Sequence, residues 1–389
     1  YVSVLFLTLY VAVNVSAAVE QLIKEPSYRP KIHVPWYISI LGAVAAMVVM
    51  WLINPLAFVF ALGLEALILI YLISKKLEQQ WGDAATGIWM HVGRYALLRL
   101  NSKNKHSRNW RPIIILFVHE LKEQIALIKL MEMLGQNSGL LTISKLVTFE
   151  DKEDLKKRNT IAFEMQKELA KEGLEALTEV NVVNDIKQGI LQVSASHGIA
   201  GIKTNTVVFG WSRTLEGKIQ ELEIANKIAA SGKNVLIAHA KKPFTERPDK
   251  RIDIWWRGED RNGDLMLLLA YLIRLNNKWK KAVIHIFSVA ESEKEKHVLE
   301  ALIQYSINEG RFDAEIHVII KDNEDIVGTL INNSKTADIV FCGLARGNGS
   351  YEKRTEIMER IVNSLKVVVF TQNNGMQNDI PVIFSLAKE

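Results

Sequence analysis

Three long runs with almost no charge open the chain, and they limit what it can fold into. Residues 2–19 and 34–53 contain no Asp, Glu, Lys or Arg, and residues 55–73 contain only Glu65. A helix rises about 1.5 Å per residue, so roughly 20 apolar residues cross the ~30 Å hydrocarbon core of a bilayer. The second and third runs have that length, and the first comes close. Three such runs in succession, with no basic start, do not suit a signal peptide. Seven charges fall in the first 75 residues: Glu20, Lys24, Glu25, Arg29, Lys31, Glu65 and Lys75. The remainder is densely charged, which predicts a membrane segment joined to a soluble domain. Because the first run is already apolar at its second residue, Tyr1 is expected to be a fragment boundary, with more chain upstream.

Charge also sets the expected orientation. The second and third runs form a hairpin whose tip, Asn54-Pro55, carries no charge. Its feet carry Lys24, Arg29 and Lys31 on one side and Lys75 and Lys76 on the other. Basic flanks stay in the cytoplasm, which places everything after Lys75 there and makes the chain a multi-pass cell-membrane protein. Trp36, Tyr37 and Tyr71 fall near the inner interface. Glu65, the single acid within the runs, suits a packing or dimer contact better than a transport role.

Residues 77–100 read as an amphipathic connector, with Ala85, Ile88, Trp89, Val92, Ala96 and Leu100 at three- and four-residue spacing. Between Ala84 and His119 there is no acid, while Arg94, Arg99, Lys103, Lys105, Arg108 and Arg111 are basic. Such a cluster either attracts anionic inner-leaflet lipid, at about 1 kcal/mol per charge, or is an ordinary solvated linker. The membrane accounts for the charge without nucleic acid.

From residue 112 onward, short β-rich runs alternate with helical stretches. Strands are expected at 113–118, 140–149, 174–183, 206–209, 234–238, 252–256, 282–289, 314–320, 338–342 and 367–371. Helices are expected at 151–171, 185–196, 215–230, 264–277 and 291–308. This alternation predicts βαβ units and a largely parallel sheet covered on both faces. Thr206-Val-Val-Phe-Gly and Asp338-Ile-Val-Phe-Cys-Gly echo one another. They suggest two α/β halves that meet near 240–250; one continuous ten-stranded sheet is the alternative. The expected organisation is 1–75 for the membrane helices, 76–111 for the connector, 112–245 for the first half and 246–389 for the second.

Catalytic chemistry is not evident. Cys342 is the only cysteine, so no intramolecular disulfide forms, in keeping with a cytosolic domain. The nine histidines show no local metal-ligand spacing, and no metal site is expected. No nucleophile elbow, phosphate-binding loop or HExxH is present, which argues against an enzyme. The nearest approach to a ligand loop is Gly343-Leu-Ala-Arg-Gly347-Asn-Gly349-Ser350, between a strand and a helix. Gly343, Gly347, Gly349 and Ser350 are therefore candidates for an anion or nucleotide such as ATP, held by free backbone N–H groups; plain tight turns are the alternative.

Six stretches in order resemble the electroneutral cation-chloride cotransporters of the amino acid-polyamine-organocation superfamily. They are Tyr10-Val-Ala-Val-Asn14 with Glu25-Pro-Ser-Tyr-Arg-Pro30; Trp81-Gly-Asp83 with Arg94-Tyr-Ala-Leu-Leu-Arg-Leu100; Asn109-Trp-Arg-Pro112; Asn205-Thr-Val-Val-Phe-Gly-Trp211; Ile252-Asp-Ile-Trp-Trp256; and Leu265-Met-Leu-Leu-Leu269. The resemblance implies that these are the last three of twelve transmembrane helices and the cytosolic domain. The ion-site helices would lie upstream, apart from Tyr10, whose hydroxyl would bind chloride. It further implies symport of K+ and/or Na+ with Cl-, a homodimer formed through membrane helices and cytosolic domain, and a regulatory domain of two universal-stress-protein-like α/β halves. The match is closest to the potassium-chloride branch, and the short 240–251 loop resembles a compact microbial member. Some universal stress proteins bind ATP through G-x2-G-x9-G-[ST], and the glycine spacing here departs from it. The alternatives are a membrane-tethered nucleotide-sensing module, or the regulatory part of another amino-acid-permease-type transporter.

Overall fold

In a computed structural model of the chain, the described residues are 2–23, 34–74, 84–101, 110–135, 139–150, 152–241, 249–257, 262–310, 312–321, 325–344 and 350–374. They form two compact units, Tyr1–Ser102 and Lys103–Glu389.

The first unit is helical: α1 (Val2–Ile23), α2 (Trp36–Ile53), α3 (Pro55–Ser74) and α4 (Ala84–Asn101). Val4, Val11, Ala43, Ala46, Met50 and Ala57 pack into its small core. Asn54 forms the expected hairpin tip. Its extended backbone ends α2, and its Oδ1 accepts the N–H groups of Leu56 and Ala57, both at 3.0 Å, while Pro55 occupies the first position of α3. Proline there forfeits no helical hydrogen bond, because that N–H has no intrahelical acceptor. Of the three expected spans, Trp36–Ile53 is long and apolar enough to cross a membrane; the other two helices contain the shorter apolar stretches Phe6–Leu22 and Pro55–Ile68. The apolar stripe of α4 is exposed at Ile88, Trp89, Val92 and Leu100.

In the second unit the strands are β1 (Ile113–Val118), β2 (Leu140–Thr148), β3 (Leu177–Val183), the short pair β4 (Gly198–Ile199) and β5 (Ile202–Lys203), β6 (Thr206–Gly210), β7 (Asn234–Ala240), β8 (Arg251–Trp255), β9 (Val283–Ala290), β10 (Glu315–Ile320), β11 (Ile339–Gly343) and β12 (Val367–Gln372). The helices are α5 (Ile125–Gly135), α6 (Lys152–Lys171), α7 (Ile186–Ser196), α8 (Leu215–Ala230), α9 (Asn262–Arg274), α10 (Glu293–Gly310), α11 (Ile326–Ser334) and α12 (Tyr351–Ser364). The ten long strands make one sheet in the order β10-β9-β8-β11-β12-β7-β6-β1-β2-β3. Each half contributes five parallel strands, and each half winds with its first strand central and its fifth at the join. Within this sheet only β7 and β12 pair antiparallel, with Val367 opposite Ala240 and Gln372 opposite Val235. The two organisations weighed from the sequence are thus one structure: two like halves fused into a continuous sheet. The echoing segments are the fourth strands of the halves, β6 and β11.

Both faces are covered, as parallel strands require. Alternation along β1 sends Ile114 and Leu116 into one core with α5, α6 and α9. Ile115 and Phe117 enter the other with α8 and α12. Local signals set the boundaries. Asp185, Thr214, Asp325 and Ser350 cap α7, α8, α11 and α12 by accepting N–H groups of the first turn. β3 begins three residues later than expected because α6 closes with Gly173 at φ +68°. The Leu174 N–H reaches Leu169 O at 2.9 Å and the Gly173 N–H reaches Ala170 O at 3.2 Å, a Schellman ending that turns Leu174 into the core.

Candidate functional site

In an open parallel sheet, ligands bind beyond the carboxyl ends of the strands, where the winding reverses. In the second half that place lies between β8 and β11, and the protein's own side chains occupy it. Asn262, buried at the start of α9, donates from Nδ2 to Leu344 O at 3.3 Å and accepts the Asn373 N–H on Oδ1 at 2.7 Å. One amide therefore joins the segments that follow β8, β11 and β12. Trp256, just beyond β8, covers Gly263 so closely that a Cβ there would lie 2.2 Å from its ring. Gly343 ends β11 beside Asn262. Gly347 and Gly349 lie outside the described residues. The Ser350 hydroxyl accepts the Glu352 N–H at 3.2 Å and donates to the Glu352 carboxylate, which it holds below the usual range. The hydroxyl proposed for a ligand thus serves the α12 N-terminus, and the negative charge at that terminus is the protein's own.

A second constellation lies across the join of the halves. Trp211, just beyond β6, donates from Nε1 to Glu359 Oε2 of α12 at 2.8 Å. Lys218 of α8 reaches the same oxygen at 2.6 Å and lies 5.4 Å from the Trp211 ring. Lys218 first, and Trp211 after burial is counted, holds the Glu359 carboxyl below its ordinary value. Nearby, burial pushes Glu221 up to about 8 although it accepts the Ser212 N–H. Further along the join, Asn226 bonds the Tyr351 hydroxyl and the Gln372 side chain. A groove of about 480 Å³ runs beside this cluster, lined by Leu215, Lys218, Thr355, Glu356 and Glu359 among others.

The motif residues of the sequence prove to be joints of the fold. Asn205 accepts the Ile113 N–H at 3.0 Å and donates to Arg111 O at 2.6 Å, so its stretch anchors the one that opens the domain. In the 252–256 motif, fully buried Asp253 is bidentate to Arg251 and accepts from Ser334 Oγ at 2.7 Å; Ser334 accepts from Trp255 Nε1. Burial pushes the Asp253 carboxyl up, and Arg251 and Ser334 pull against it. Leu265, Met266, Leu267 and Leu269 are core residues of α9. Tyr10 lies on α1 with its ring exposed, and its carbonyl accepts from Asn14 Nδ2. The 25–30 and 81–83 motifs lie outside the described residues.

One cluster was not expected from the sequence: His285 of β9 with Glu315 and His317 of β10. The expectation that no histidine has metal-ligand spacing holds only along the chain; adjacent strands bring together residues some thirty apart. The only sequence signal is the alternation Glu315-Ile-His317, which puts both polar residues on one face.

The α/β unit is similar to the cytoplasmic domain of a prokaryotic cation chloride cotransporter, at 16% identity and TM-score 0.51, covering 69% of this chain and 98% of that one. It is also similar to a universal stress protein from Archaeoglobus fulgidus DSM 4304, at 15% identity and TM-score 0.46, over 68% of this chain and 97% of that one. The expected mostly parallel α/β sheet preceded by helices is what the chain has. Residues 216–324, which run from α8 through the join of the halves and past β10, match Solute carrier family 12. The resemblance read from the sequence and this match to Solute carrier family 12 agree.

Proposed function

We propose that this chain is the C-terminal portion of an electroneutral cation-chloride cotransporter, contributing membrane helices, dimer contacts and a cytosolic regulatory domain. The observation that carries the reading is the Solute carrier family 12 match over 216–324, which spans the join on which the two-half architecture depends. In this reading α1, α2 and α3 cross the membrane, and the transported ions are Cl- with K+ and/or Na+. Tyr10 lends a neutral O–H to a partly dehydrated chloride. Its exposed ring, outside the α1–α2 core, suits that role. The exposed apolar stripe of α4 suits the inner leaflet or another helix.

The domain acts as a regulatory platform rather than as an enzyme. Cys342 is buried at the end of β11 with its thiol pushed up to about 12 by burial, so it stays protonated and unreactive. A nucleotide-sensing role is the second reading; the β11–α12 loop favours it by position, and the capping duty of Ser350 weighs against it.

The test is ion flux from the full-length parent in proteoliposomes, with and without Tyr10→Phe. Chloride-dependent uptake of rubidium or sodium, weakened by the substitution, supports the reading. Uptake indifferent to chloride sinks it and transfers the weight to another permease of the superfamily.

A further inference from the structure

Neighbouring strands lie about 4.8 Å apart, so side chains in one row of a sheet meet whatever their separation in sequence. β9 and β10 pair with Glu315 opposite His285 and His317 opposite Phe287. His285 Nδ1 lies 2.8 Å from His317 Nε2. Glu315 Oε2 lies 3.5 Å from the first nitrogen and 3.7 Å from the second. An ion held tetrahedrally at about 2.0–2.1 Å from each donor needs donor–donor edges of about 3.3 Å. The observed edges fall on both sides of that value, and each departs from it by about 0.5 Å or less, which small side-chain rotations absorb.

The rings are held in place. His285 and His317 stack at 5.0 Å and 12°, Phe287 stacks on His317 at 4.9 Å, and Trp255 stacks on Phe287 at 4.9 Å. Rings packed in this way lose less freedom on binding than free side chains would. The charges around it are also arranged: Asp253, opposite His285 on β8, pairs with Arg251 and neutralises the nearest cation.

We infer that His285, Glu315 and His317 form a binding site for a divalent transition cation of the zinc type. Two imidazoles and one carboxylate suit zinc better than magnesium or calcium, which take oxygen ligands. Glu315 lies on the edge strand with its side chain 60% exposed, so water can fill the fourth position. Three protein ligands and an open position make an exchangeable site rather than a closed structural one. The ion ties edge strand β10 to β9, at the end of the sheet where pairing is otherwise one-sided.

The test uses the full chain in detergent, stripped with a chelator and titrated with zinc chloride against a chromophoric competitor. One saturable equivalent is expected, and cobalt in its place should give the intense visible absorption of tetrahedral coordination. Glu315→Gln and His317→Ala should each weaken zinc binding at least about tenfold, and the double variant His285→Ala/His317→Ala should abolish it. Unchanged binding in these variants, or no saturable uptake by the parent, overturns the site. Should the histidine variants fail to fold, Glu315→Gln carries the test, because its exposed side chain leaves the core intact. Its melting temperature without metal should match the parent's, and at one subsaturating zinc concentration the parent should gain more stability than the variant.

Discussion

The Trp211 indole N–H meets the Glu359 carboxylate at 2.8 Å, linking residues 148 apart in sequence, one from each half of the sheet. Lys218 completes the contact from the first half. Trp211 is also tilted against Phe370 of β12, with centroids 6.2 Å apart. Trp211→Phe should keep the ring contact and remove one donor from a partly buried carboxylate. The expected cost is about 1–2 kcal/mol of stability, read as a lower melting temperature of the full chain. Combined with Glu359→Gln, it should cost less than the sum of the two, since the residues share one contact. Additive losses would show that the indole N–H contributes nothing at the join.

Acid carboxylates at the same join should respond to pH with opposite signs. Glu359 is held below its ordinary value by Lys218, so its contribution is present above the unfolded value of 4.5 and is lost as pH falls through its folded value. Glu221 is pushed up to about 8 from 4.5 by burial. Its folded form holds a proton that the unfolded form releases, so the stability it contributes is complete below about pH 4.5 and declines as pH rises towards 8. The decline is at most about 1.4 kcal/mol per pH unit. Glu221→Gln should flatten stability between pH 5 and 8, within a range of about that slope. Melting profiles of equal slope in parent and variant would refute a carboxyl shifted so far.

Gly263 is the point where α9 passes beneath the Trp256 ring. A methyl group added there must displace the indole, since it would lie 2.2 Å from the ring. Gly263→Ala should destabilise the domain by about 1–3 kcal/mol, despite alanine's better helix propensity. Altered near-ultraviolet dichroism from tryptophan should accompany the loss. A neutral or stabilising result would show that Trp256 moves freely.

Cys342 should resist alkylation in the native chain at pH 8, since its buried thiol is protonated there. Rapid labelling should begin only in denaturant. Labelling of the folded chain at the rate of an exposed thiol would mean that the end of β11 opens readily.

Much of the α/β fold is legible along the chain. Apolar runs such as 113–118 and 234–238 are strands because they are covered on both faces, and that burial writes itself as continuous hydrophobicity. Caps such as Asp185 and Thr214 mark helix starts because they bond the very next turn. α5 and α11 were not singled out: the former is apolar almost throughout, and the latter is a short helix of nine residues. The motif around Asn205 was visible as a pattern, but its task of holding Arg111 and Ile113 was not.

The sequence by itself determined the apolar runs of the N-terminal region, the alternation that requires a parallel sheet, and the echo between the fourth strands. These are local properties, set by periodicity and by each residue's preference for water or for a core. Tertiary structure alone decided that β7 and β12 pair antiparallel to fuse the halves, that Trp211 reaches Glu359, and that His285, Glu315 and His317 converge on one edge. Those relationships depend on strand order and register, which bring distant residues within a few ångströms and which the spacing along the chain does not specify.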